Sequence, residues 1–240
     1  MDAVLVIDKP AGLTSHDVVA RVRRLLGERS VGHLGTLDPM ATGVLPLLTG
    51  RFTRFSAKKI AGVPAYKLAR KDRDVKLKKV KVFVHRFEIQ NLEGDHARFT
   101  AEVSAGTYVR GLADELGQKL GVGAHLADLR RTCSGEFTLD QAVTLERLSE
   151  IRKNGLQHER NLPDSLSNIS LHPRQILPQI PSVTVNDETA GLIGNGRAVN
   201  LPEFSGARQV KVFLGEEELI AIASRIAGTL FQPKVVLRAA

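Results

Sequence analysis

Hydrophobic and polar positions along the chain alternate in three textures. An apolar run over 3–7 reads as a buried strand, and Asp8-Lys-Pro-Ala-Gly12 reads as a turn. Ser15 is expected to cap a helix whose apolar stripe is Val18, Val19, Val22, Leu25 and Leu26. Arg21, Arg23 and Arg24 fall on its other face, and Gly27 ends it. A Gly- and Pro-rich loop follows, then an apolar segment over 44–48. Strand texture returns over 80–84 and 86–89, and 97–103 alternates with Ala97, Phe99, Ala101 and Val103 on one face. Leu112, Leu116 and Leu120 mark a second helix with Gly121 just beyond it, and 145–152 a third. Residues 153–172 are polar with little periodicity and read as a linker. From 176 onward the texture is short strands with turns, over 182–185, 199–201, 209–214, 219–223 and 235–237, which suits a small barrel or sandwich.

Composition adds bounds. With 240 residues, 42% hydrophobic and 25% charged, the chain can form one large domain or two smaller ones. Cys133 is the sole cysteine, so no internal disulfide forms and a reducing compartment is expected. No leader pattern and no apolar run long enough to span a bilayer is present, so the expected location is the cytoplasm. The net charge of +8 is unevenly spread. Between Ser56 and Arg86 eleven basic residues, including Lys58, Lys59, Lys67 and Arg70, face only Asp72 and Asp74. The rest of the chain is close to neutral. Such a stretch suits a polyanion, although a merely solvated basic face has the same composition.

Candidate chemistry centres on Val31-Gly-His-Leu-Gly-Thr-Leu-Asp38-Pro-Met-Ala-Thr-Gly-Val-Leu-Pro46. Pro39 removes an N–H and pushes Asp38 out of helical geometry, which leaves a carboxylate on a fixed loop. Taken alone, Leu-Asp-Pro is equally a cap or a turn. The seven histidines are scattered, and neither metal-ligand spacing nor a phosphate-binding glycine loop occurs. Neither a metal nor a cofactor is therefore expected. A glycosidase or nucleosidase would need a second carboxylate and a water site, and nothing near Asp38 in sequence offers one.

Together with Gly106-Thr-Tyr-Val-Arg110, Leu126-Ala-Asp-Leu-Arg-Arg-Thr132 and Lys9-Pro10, the Asp38 segment resembles the motifs of the bacterial TruB-type tRNA pseudouridine synthases. The resemblance implies a mixed α/β (α+β) catalytic domain with a largely antiparallel sheet over 1–152, a linker over 153–172, and a small barrel-like PUA RNA-binding domain over 173–240. It implies isomerisation of a T-loop uridine in tRNA, with Asp38 as the catalytic carboxylate and the enzyme acting as a monomer. By the same resemblance Arg110 pairs with Asp38, Tyr108 lines the uracil pocket, and Leu129 lies against the flipped base with Arg130 or Arg131 near it. His33 braces the vacated space, Lys9 supports the loop, and 56–86 forms a thumb that closes on the tRNA stem-loop through Lys58, Lys59, Lys67 and Arg70. Read without it, Arg110 is a surface ion pair, and Leu129 and His33 are ordinary core residues.

The chain departs from that family in one place. After Thr53-Arg54-Phe55 the family continues through a strand pair bearing a pocket tyrosine, an acidic loop and a helix, whereas here Ser56 follows directly. Tyr66 and Tyr108 are the only tyrosines, and neither matches the missing one. Either the working protein has a stretch that this chain lacks, or the deletion is real. A real deletion favours a second reading, a non-catalytic RNA-binding or tRNA-folding protein on the same scaffold.

Overall fold

The computed structural model describes residues 2–55, 81–157 and 166–237. It divides into two units, one made of 1–58 with 130–240 and the other of 59–129. In the first unit β1 (Val4–Lys9) pairs antiparallel with β3 (Thr42–Thr49), with Ile7 opposite Leu45 and Lys9 opposite Gly43. β2 (Val31–His33) borders β3 on its other side. Both central strands are almost entirely buried, so each reads as a continuous apolar run rather than an alternation.

α1 (Ser15–Leu26) seals one face of this sheet through Val18, Val19, Val22 and Leu26. Its cap is Thr14 rather than Ser15. The Thr14 hydroxyl accepts from the Asp17 N–H while Asp17 accepts from the Thr14 N–H, a reciprocal capping box. Gly27 ends the helix at φ 64° as expected. α1 also packs on a later helix, Leu145–Gln157 (α3 below), which buries Leu145 and Leu148. That helix runs five residues past its expected end, into the stretch read as a linker. The other end of that stretch is a strand: β10 (Ser170–Leu171) pairs with β1 at the sheet edge, and Leu166 before it is fully buried. Two short parallel additions complete the sheet. β6 (Arg130–Arg131) joins β3, and β9 (Ala142–Val143) joins β1, with the hairpin β7 (Cys133–Ser134) and β8 (Phe137–Thr138) between them.

A second sheet of five strands lies in the same unit, ordered β11 (Ser182–Val185), β13 (Gln209–Leu214), β14 (Glu218–Ala227), β15 (Leu230–Val236) and β12 (Val199–Asn200). All five expected strands are present. One element was not anticipated among the strands and turns: a helix (Asp187–Gly194, α4 below) started by the Asn186 side chain. Tertiary burial of Ala190 and Ile193 outweighs its poor glycine propensity. The two sheets share a core in which Val4, Val6, Val44, Leu48 and Phe52 meet Phe213, Leu219 and Leu237. Arg51 spans the same junction, paired with Asp2 and with Glu218 at 2.7 Å.

The second unit holds a hairpin of β4 (Val84–Glu93) and β5 (His96–Val103), where Phe87 stacks on Phe99 at 4.8 Å. Of the described residues in the segment expected over 80–84 only Val84 is strand, while 86–89 falls inside the longer β4, which has register shifts near Val84 and Asn91. Its helix, α2 (Val109–Leu120), closes on itself at Gly117, where a Cβ would stand 2.1 Å from the Ala124 nitrogen. In chain order the helices are α1, α2, α3 and α4. The basic residues Lys58, Lys59, Lys67 and Arg70 lie outside the described residues.

Candidate active site

Asp38 sits half-buried on the loop that carries the chain from β2 back into β3. Its carbonyl accepts the Ala41 N–H at 3.0 Å, which makes 38–41 a tight turn around Pro39. What fixes that turn comes from three directions.

The first is Ser15, on the buried side of α1. Its hydroxyl accepts from the Leu37 N–H at 2.8 Å and donates to the Leu37 carbonyl at 3.1 Å. Both polar groups of the residue just before Asp38 are thereby satisfied by one side chain. Sequence reading gave Ser15 the role of a cap. No local signal distinguishes it from Thr14, because the distinction depends on which of the two hydroxyls faces the loop.

The second is Lys9 at the end of β1, fully buried. Its ammonium donates to the carbonyls of Pro10 (2.8 Å), Leu13 (2.6 Å) and Pro39 (3.3 Å). Gly12 adds a backbone bond to the same Pro39 carbonyl at 2.8 Å, with φ 83°. One lysine therefore ties the 10–13 turn to the Asp38 turn. Burial lowers its pKa, and the charges of Asp17 and Asp38 pull it back up.

The third is β6. Arg131 donates from Nε to the Val44 carbonyl at 2.7 Å and from a terminal nitrogen to Thr36 at 3.4 Å. Its acceptors are backbone carbonyls, and burial lowers its pKa. Gly43 lies directly against its backbone, where a Cβ would meet the Arg131 carbonyl oxygen at 2.1 Å. Arg130, more exposed, forms a fork to Asp8 at 2.9 and 3.1 Å. The Asp8–Arg130 pair links positions 122 apart in sequence, so no pattern along the chain could have revealed it.

Asp38, Lys9, His33, Arg130 and Arg131 thus belong to one unit. His33 ends β2 at the start of the same loop, and burial lowers its pKa. Tyr108, Arg110 and Leu129 belong to the other unit. There the Arg110 guanidinium lies 5.9 Å over the Tyr108 ring at the start of α2. The Leu129 N–H is held by Asp128 at 2.7 Å. Among the described residues no cluster of three or more histidine, cysteine or acidic side chains could hold a metal ion. No helix among them is long and apolar enough to cross a membrane.

The chain matches two family models. The N-terminal domain of TruB family pseudouridylate synthases matches in two pieces, 23–56 and 54–109, and the C-terminal domain of tRNA pseudouridylate synthase B matches over 110–170. The tRNA pseudouridine synthase B of Solibacter usitatus is 38% identical, with 99% of this chain and 100% of the relative covered. That of Geobacter sulfurreducens is 34% identical, with 82% of each covered. The Solibacter pairing runs over 302 positions against 240 residues, so at least 62 positions face no residue of this chain. The break in the N-terminal match falls at 54–56, where the motifs skip. Among solved structures, a chain of a Cbf5–Nop10–Gar1 complex matches with a TM-score of 0.76 at 25% identity, covering 99% of this chain and 85% of that one. A chain of the archaeal box H/ACA sRNP Nop10–Cbf5 complex matches with 0.74 at 26%. The mixed α/β fold, the motif-bearing loop and these matches agree, and the chain belongs to the TruB family of pseudouridylate synthases, enzymes that isomerise uridine.

Proposed function

We propose that this chain converts a T-loop uridine of tRNA to pseudouridine, with Asp38 as the catalytic carboxylate. The observation that carries the reading is the triple anchoring of the Asp38 turn by Ser15, Lys9 and β6. A loop held this firmly keeps a carboxylate in register with a reacting atom, and small displacements of such a group are costly in rate.

The reaction breaks the N-glycosidic bond, turns the uracil and rejoins it through carbon 5, whose hydrogen is finally lost as a proton while nitrogen 1 gains one. No electrons are exchanged with another reactant. One carboxylate serves, either by adding to the sugar or ring or by removing a sugar proton. The target lies in a folded arm and must leave its stack, which costs roughly a few kcal/mol. Arg110 supports the ionised form of Asp38 in this reading. Tyr108 and Leu129 wall the base, and His33 occupies the space it leaves.

Arg130, exposed at the sheet edge, is assigned to RNA contact and Arg131 to loop support. Lys58, Lys59, Lys67 and Arg70 of the 56–86 segment supply phosphate contacts. In this reading 1–152 is the catalytic part and 173–240 a PUA-like RNA-binding part. The enzyme acts as a cytoplasmic monomer.

Asp38→Asn tests this directly. Tritium release from carbon-5-labelled uridine in tRNA should vanish while tRNA binding is kept. Turnover by Asp38→Asn would refute the assignment. The many positions without a counterpart here favour one second reading, in which wild-type chain binds tRNA without releasing tritium.

A further inference from the structure

Beside the Asp38 loop, wholly within the first unit, lies a cleft of about 440 Å³. Its wall is built by His16 and Arg23 from α1, Arg29 and Ser30 from the turn into β2, His33 from β2, and Thr53. Two guanidiniums and two imidazoles line it, and no carboxylate does. The neighbouring acid, Glu28, accepts the Ser30 N–H at 2.9 Å instead.

Arg23 is held in place by one bond from a terminal nitrogen to the Val31 carbonyl at 2.7 Å. Its remaining donors are available in the fork geometry that suits phosphate oxygens. The Arg29 side chain is exposed at the rim. The His33 imidazole, at the end of β2, completes the wall on the side of the Asp38 loop.

We propose that this cleft is a phosphate subsite that grips the RNA backbone next to the target uridine, through Arg29 and Arg23 with His16. The inference rests on the reading of Asp38 given above, because His33 joins the cleft to the catalytic loop. It also extends that reading: the grip on RNA does not depend only on the 56–86 segment. A phosphodiester is favoured over a free anion because the cleft opens beside the loop that a polynucleotide must cross. A single bound phosphate there would also fix the register of the strand.

Arg29→Gln is the informative variant, since its exposed side chain carries no structural bond among the described residues, and Arg24→Gln, on α1 but outside the cleft lining, is the control of equal charge. Affinity for full-length tRNA is measured from about 50 to 200 mM salt, the range in which released counterions dominate. Arg29→Gln should reduce the slope of log affinity against log salt by about 0.7–0.9, the loss of one phosphate contact, and Arg24→Gln should not. KM should rise about threefold to tenfold with kcat within twofold. Equal slopes for the two variants, or an unchanged KM for Arg29→Gln, would overturn the proposal. So would saturation of the His16 and His33 ring resonances by inorganic phosphate alone at micromolar concentration, which would make this a free-anion site. The slope is a binding measurement. Absence of tritium release by wild-type chain would therefore sink the catalytic reading without touching this comparison.

Discussion

Ser15→Ala removes one oxygen atom and tests how the Asp38 loop is held. Ser15 and Leu37 are 2% and 5% exposed, so water cannot easily replace the lost hydroxyl. Two groups lose their partner at once, the Leu37 N–H and the Leu37 carbonyl. Each buried polar group left unsatisfied costs about 1–3 kcal/mol, and alanine adds little cavity. The expected loss is therefore about 2–6 kcal/mol. The capping box of α1 is untouched, because Thr14 and Asp17 supply it. Urea denaturation should show a lower midpoint with an unchanged slope, the mark of a native-state loss. Because Leu37 immediately precedes Asp38, kcat should also fall about tenfold or more while KM for tRNA holds. An unchanged midpoint would refute the hydrogen-bond argument. A lower midpoint with full kcat would show that the anchor serves folding and not the positioning of Asp38.

Gly43→Ala should lose at least about 3 kcal/mol, because the added Cβ meets the Arg131 carbonyl at 2.1 Å at φ +99° and forces β3 and β6 apart. Gly12→Ala, equally left-handed at φ +83° but with open space around it, should lose only about 1 kcal/mol, and thermal melts of the pair separate clash from backbone strain. Burial holds the His33 pKa below its ordinary 6.5, with the His16 and Arg131 charges acting the same way and a Gly35 backbone bond opposing. As pH falls through 6.5 the unfolded chain takes up this proton first, so stability declines from there down to the lowered folded value. Denaturation midpoints between about pH 5 and 8 should show that decline in wild type and a flatter profile in His33→Gln, and identical profiles would refute the assignment.

Apolar runs and periodicity along the chain located β1, α1, α2, α3 and the strands of the second sheet, although α2 buries Ala113 and Gly117 while Leu120 of its expected stripe stays exposed. They missed α4, whose glycines argue for turns and whose helical state is decided by what Ala190 and Ile193 pack against. They placed strand too early ahead of β4 and ended it short at 89, since register shifts near Val84 and Asn91 interrupt the alternation that marks a strand. The loop around Asp38 was legible from Pro39 and from the family motif, and so was Lys9. What holds the loop was less so. Ser15 reaches Leu37 across 22 positions and Arg131 reaches Val44 across 87, and such partnerships exist only once the sheet has formed. The cleft beside His33 was invisible for the same reason, its polar side chains coming from a helix, a turn and a strand edge.

The junction at Phe213 and Leu219 bears on how this protein can be taken apart. The second sheet supplies part of the lining for Val4, Val6, Val44 and Leu48, which lie on the strands that also carry Lys9 and lead out of the Asp38 turn. Cutting the chain ahead of residue 173 would therefore strip apolar cover from the first sheet and leave Arg51 with only Asp2. The C-terminal strands are not a detachable accessory. Recombination with another RNA-binding module could succeed only if the newcomer brought equivalent side chains for those two positions, so this part of the molecule is inherited as a single piece.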